Sequence, residues 1–274
     1  MDYHLKFQLF RAGLCYGRPC HRRGVYVFAR TIMAALFALV YSAASFAQTA
    51  QSGNQFAYPG DYRVKPLAEQ LAVLLDHFPQ LREGRAAFGR AALAPLPQEA
   101  EGYFAIPRWE KIAPTYGEAL EKVFDALYNS RLARFHNYRD GKLGHDYLRE
   151  EKQSRVKWER LASRQSADII VVPAQFGMYH RGQSIRRTRE SLWENEFGLG
   201  AYHVAIMLLT HPERLATGNE LWIYAPGDEY SYRADGQFEL APVFYFRGGE
   251  IGFDVIWFDG AYEFYGAASG FVSR

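Results

Sequence analysis

The residues best equipped for chemistry crowd into Pro173–Gly200 (PAQFGMYHRGQSIRRTRESLWENEFGLG). There His180, Arg181, Arg186, Arg187 and Arg189 fall within ten residues, and no acid intervenes before Glu190. Guanidinium groups are planar forks of donors that suit carboxylates and phosphates. With Ser184 as a helix cap, Arg186 and Arg187 occupy a first turn where the helix dipole already places partial positive charge. An anion on the free backbone N–H groups would relieve that conflict. So would acids of the same molecule, Glu194, Glu196 or those of the later strands. The first reading makes Arg181, Arg186, Arg187 and Arg189 the contact group of an anion-binding protein, its ligand a phosphate, a nucleic acid or an acidic polymer. The second leaves them as internal ion pairs.

A rival chemistry is hydrolysis by a histidine and a carboxylate. Its candidates are His180 with Glu196, Asp228 or Glu229, the last two following the Pro226-Gly227 turn. Such a mechanism needs base and acid within hydrogen-bond reach in space, which linear spacing does not supply. His203 sits in the most apolar stretch, where a lone histidine reads as a hydrogen-bonded core residue. No HxxxH, HExxH or HxH spacing surrounds it or His211, so no metal is expected. Gly198-Leu199-Gly200 is only GxG, GxxxxGK[ST] and GxSxG do not occur, and Ser269 in GAASG has no nominated base. No cofactor is expected. A third reading, a protein–protein interaction module, requires an exposed apolar patch on the sheet. Phe244, Tyr245, Phe246, Tyr262, Phe264 and Tyr265 could also stack nucleobases, but their segment is acidic, which favours packing.

The elements that must position these groups follow from periodicity. Pro66–Phe78 has apolar residues at helical spacing, and Arg85–Leu93 reads as a short helix in a Pro- and Ala-rich connector. Thr115 and Glu118 form a capping box ahead of the Leu120, Val123, Phe124, Leu127 stripe. His145–Arg164 reads as a charged surface helix, Ile169–Val172 as a buried strand, Ser184–Glu194 as a helix and Ala201–Leu209 as a core helix. Pro212 starts a further helical turn. From Leu221 the pattern becomes strands: Leu221–Tyr224, Tyr230–Arg233, Gln237–Leu240, Val243–Arg247, Glu250–Phe258 and Ala261–Tyr265. Asp235-Gly236, Gly248-Gly249 and Asp259-Gly260 mark their turns. Helices first and strands later predict an α+β fold, a helical layer packed on a mostly antiparallel C-terminal β-meander.

The chain has 274 residues, 49% hydrophobic and 16% aromatic, enough for one full core. Its net charge of +2 conceals a division: Asn129–Arg189 carries fourteen basic and six acidic residues, Glu190–Arg274 four basic and thirteen acidic. Either the two segments neutralise each other or the basic one presents an anion-binding face. Residues 1–47 read as a signal peptide or a misplaced start region. Thr31–Phe46 is apolar behind Arg22, Arg23 and Arg30, with small residues Ser45 and Ala47 before Gln48. Residues 48–60 read as a linker and 61–274 as a single domain. The run is short for a membrane span, so no stable anchoring is expected. The protein would be secreted or periplasmic if that segment is real and cytoplasmic otherwise. Cys15 and Cys20 precede the domain, which therefore holds no disulfide.

The motifs FAIPRWEKIAPTYGEAL, VVPAQFGMYHRG, NEFGLG, MLLTHPERL, GDEY and YGAASGF resemble an uncharacterised bacterial protein family with no assigned activity. The resemblance spans about Tyr103–Phe271 and implies one co-folding unit. It implies nothing about reaction or ligand, and a family of that kind would lack a leader.

Overall fold

The chain departs from its expected order at Gly102–Pro107, an unpredicted strand (β1) whose six residues pair antiparallel with Ile169–Gln175 (β4). β4 is the strand expected at Ile169–Val172, and it continues to Gln175 with every residue buried. Ser269–Phe271 (β11) pairs with its far side, and Glu196–Gly198 (β5) closes a four-stranded antiparallel sheet in the order β1-β4-β11-β5. The computed structural model describes residues 58, 62–81, 95–130, 134–218 and 221–272. The expected signal segment and the Arg85–Leu93 helix lie outside these residues.

The second sheet has seven strands. Its centre is the hairpin of Leu240–Arg247 (β8) and Glu250–Trp257 (β9), turned at Gly248 and Gly249 with φ of 65° and 87°. Those left-handed dihedrals are why two glycines stand there. Trp222–Tyr224 (β6) and Asp228–Tyr230 (β7) flank β8, and Leu148–Glu150 (β3) pairs with β7. Two pairings are parallel, Tyr265–Ala267 (β10) with β6 and Arg134–Asn137 (β2) with β9. The sheet is therefore mixed, and it recruits strands from well before Leu221.

Three expectations are corrected here. Asp235-Gly236 does not close a two-residue hairpin. The Asp235 carboxylate accepts from the Ser231 hydroxyl and the Gln237 N–H, and pairing resumes only at Tyr230 opposite Leu240. The front of the His145–Arg164 segment is strand β3, and the helix begins at Lys152 because the Glu151 side chain caps it, accepting from Gln153 and Ser154 N–H. Ala261–Phe264 stays outside the ladder, and β10 begins at Tyr265.

Leu67–His77 (α1), Tyr116–Asn129 (α2), Lys152–Ser163 (α3), Ile185–Ser191 (α4) and Ala201–Thr210 (α5) are the five described α-helices, and with the eleven strands they make an α+β fold. α2 starts at the predicted capping box, with Thr115 and Glu118 each bonded to the other's N–H. Its Phe124 packs against Phe135, Phe244 and Phe253 of the seven-stranded sheet at ring separations of 4.8, 6.2 and 4.7 Å. α5 is buried at all ten positions and packs on α2, α1 and β1. Gly53–Arg274 forms one compact unit. No helix among the described residues is long and apolar enough to cross a membrane.

Candidate functional site

Three neighbouring strands of the four-stranded sheet bring polar side chains together. Gln175 is the last residue of β4 and Ser269 the first of β11 opposite it, while Glu196 begins β5 two residues before Gly198, the partner of Ser269, and so meets the serine diagonally. Beyond Gln175 the chain turns at Gly177 (φ 120°) into a 3-10 turn, Met178–His180. The Gln175 side-chain oxygen accepts from Gly177 N–H at 2.6 Å and Tyr179 N–H at 3.3 Å, fixing that turn. His180 is thereby aimed back at β5.

The result is a buried network centred on Glu196. His180 Nε2 lies 2.7 Å from Glu196 Oε1, and the Ser269 hydroxyl donates to the same oxygen at 2.5 Å. Gln175 Nε2 donates to Ser269 Oγ at 2.9 Å, which commits the serine proton to Glu196. Oε2 accepts from Trp193 N–H at 3.2 Å. As an acceptor from two directions, Glu196 calls for a proton on the imidazole Nε2, and in the neutral ring that tautomer has its lone pair on Nδ1. That Nδ1 is buried and has no hydrogen-bond partner among the described residues. Lys157 Nζ donates to the Glu196 and Trp193 carbonyls, and burial lowers the lysine's pKa. His180 is 2% exposed and lies beneath Tyr179, edge-on at 4.8 Å, whose hydroxyl accepts from Trp193 Nε1.

Of the sequence candidates, His180 and Glu196 are thus brought together, while Asp228 and Glu229 go elsewhere. Asp228 is fully buried at the N-terminus of α5. Its carboxylate takes the Ala201 N–H at 2.7 Å and the Tyr116 hydroxyl at 2.8 and 3.0 Å. Burial pushes its pKa up to about 8 against those donors. It anchors a helix. Glu229 points to arginines, 2.7 Å from Arg149 Nη2 and 3.6 Å from Arg189 Nη1.

The arginine cluster is engaged within the molecule. Arg186 forks onto Asp259 at 2.6 and 3.3 Å, and Arg181 donates to the Glu263 carbonyl. Arg189 donates to the Pro226 and Asp228 carbonyls and lies over the Phe258 ring at 4.4 Å. Arg187 meets Glu190 of its own helix at 3.7 Å and is mostly exposed. Ser184 does cap α4, accepting from Arg187 N–H. The charge conflict of that first turn is met by Asp259 and Glu190.

His203 is a core histidine: its Nδ1 accepts the Gly200 N–H, and burial lowers its pKa to about 3. His211 accepts from Lys65 N–H and is held at about 4, again by burial. Nothing in the linear spacing singles out Gln175, Lys157 or the role of Ser269. The motif GAASG was visible, but its serine serves Glu196 rather than the imidazole, a relation set by strand register.

The fold and site together define an α+β protein with a buried histidine–carboxylate–serine network across neighbouring strands of the four-stranded sheet. Comparison with known protein families, with curated proteins and with solved structures finds no match.

Proposed function

We propose that the protein is a hydrolase in which His180 is the general base and Glu196 orients it. The observation that carries this reading is the buried Nδ1, without a partner among the described residues, on an imidazole whose other nitrogen a carboxylate holds at 2.7 Å. Leaving a buried acceptor unsatisfied costs about 1–3 kcal/mol, and base, orienter and unused lone pair are the parts of an acid–base centre. Nδ1 would take a proton from a water as its oxygen bonds to an acyl carbon. The imidazolium then returns that proton to the departing group as the carbon–leaving-group bond breaks. Ser269 is not the nucleophile in this scheme, since its proton goes to Glu196.

Anion binding at Arg181, Arg186, Arg187 and Arg189 has less support, because Arg181, Arg186 and Arg189 already donate within the molecule and Arg187 faces Glu190.

The test is a screen of the full chain against p-nitrophenyl acyl esters, phosphoesters and anilides, repeated with His180→Gln and Glu196→Gln. An acyl-ester or anilide activity reduced about 100-fold by His180→Gln in a folded protein, a loss typical of removing a general base, agrees with the proposal. Activity indifferent to both variants, or none on any acyl substrate, contradicts it.

A further inference from the structure

A second candidate shares no residue with the His180 network. The nine-residue connection between β7 and β8, Ser231–Glu239, overhangs the end of β9 and encloses a cleft of about 540 Å³. That volume lies within the roughly 300–1,000 Å³ of small-molecule sites. Its lining mixes aromatic and polar side chains: Tyr232 and Trp257 with Arg139, Arg233, Gln237 and Glu239.

Trp257 closes β9 and is 59% exposed, and it makes no ring or cation contact among the described residues. The indole therefore presents uncommitted aromatic surface to the cleft. Tyr232 is similarly exposed, and one of its faces is covered by the Arg139 guanidinium, 4.9 Å from the ring centre. Arg139 is fixed by Asp254, at 2.5 Å to Nη2 and 2.7 Å to Nε. The loop itself is stiffened by the Asp235 bonds to Ser231 and Gln237, and it holds Ala234 at φ 55°. Ala234 is the only non-glycine residue at positive φ among those described. A side chain disfavours that region, and backbone held there marks a shape the surroundings impose.

The charges select the ligand class. The lining holds two arginines and two acids, and Arg139 is already paired with Asp254, so the cleft offers no cationic excess to an anionic ligand. Its host segment, Glu190–Arg274, is strongly acidic, which opposes a phosphate polymer. What remains favoured is an uncharged molecule with many hydroxyls and one apolar face. Pyranose rings have that character. Their C–H face carries slight positive charge and lies against the electron-rich face of an indole, and their hydroxyls both donate to carboxylates and accept from guanidinium and amide groups. We propose that the cleft beneath the Ser231–Glu239 loop binds a neutral oligosaccharide, with Trp257 as the stacking surface and Arg233, Gln237 and Glu239 as the hydroxyl partners.

Tryptophan fluorescence and calorimetric titration of the full chain with maltohexaose, cellohexaose, xylohexaose and chitohexaose test this. At least one should saturate, with affinity falling about tenfold or more in Trp257→Ala. Trp257→Phe should restore most of the loss, Arg233→Ala should weaken binding, and Phe264→Ala, an exposed aromatic outside the cleft, should leave it intact. No saturation by any of the four below about 10 mM, or binding unchanged in Trp257→Ala, overturns the proposal. So does a single-stranded oligothymidylate that binds through Trp257 in their place.

Discussion

At the scale of single residues, the Glu196 carboxylate gathers the His180 imidazole, the Ser269 hydroxyl and the Trp193 N–H around itself. His180 and Glu196 were legible as a possible acid–base couple, sixteen positions apart on one segment. The serine that completes their network is seventy-three positions from Glu196, and only the register of β11 brings it in. The arginines were equally visible, and the acid that engages Arg186 was not, since Asp259 lies on another element. Asp228 carries a prediction of its own. Its folded pKa, about 8, is raised above the ordinary carboxylate value by burial. The native state therefore favours its protonated form, and the stability it contributes is complete at low pH and lost as pH rises from about 4 to about 8. Asp228→Asn stays neutral throughout. The wild type's margin over this variant should shrink by at least about 1 kcal/mol between pH 5 and pH 8.5 in denaturant unfolding. A margin that stays constant would show the carboxylate already ionised inside the protein.

At the scale of elements, the strongly periodic segments were readable and the short strands were not. α2 was legible because its capping box and apolar stripe agree, and both are local signals. β2, β3, β5 and β11 have three or four residues each, too few for alternation to stand out, and their partners are distant. The Asp235-Gly236 pair misled for a physical reason: an aspartate that bonds its own loop stabilises a wide turn as well as a tight one. α2 is the element that joins the seven-stranded sheet to α5, so its contact residue should dominate stability. Phe124→Ala, which removes a ring packed on three others, is expected to cost about 3–5 kcal/mol in reversible unfolding. A loss below about 1 kcal/mol would mean that α2 does not bind the layers together.

At the scale of the whole molecule, the split between a basic and an acidic segment resolves into internal pairing. Arg139–Asp254, Arg149–Glu229, Arg186–Asp259 and Arg189–Glu229 all join Asn129–Arg189 to Glu190–Arg274. The sequence revealed the imbalance, and the fold places the two segments on adjacent strands and loops where they offset each other. Several of these pairs are exposed and each contributes little alone, so the interior carries the stability. The same interior encloses the proposed acid–base centre, which ties its function to one proton's position. Nitrogen-15 NMR of the histidine side chains reads that position directly. The His180 proton is expected on Nε2, with a lone pair on Nδ1, and Glu196→Gln should lose that preference. A proton found on Nδ1, with Nε2 bare against Glu196, would contradict it.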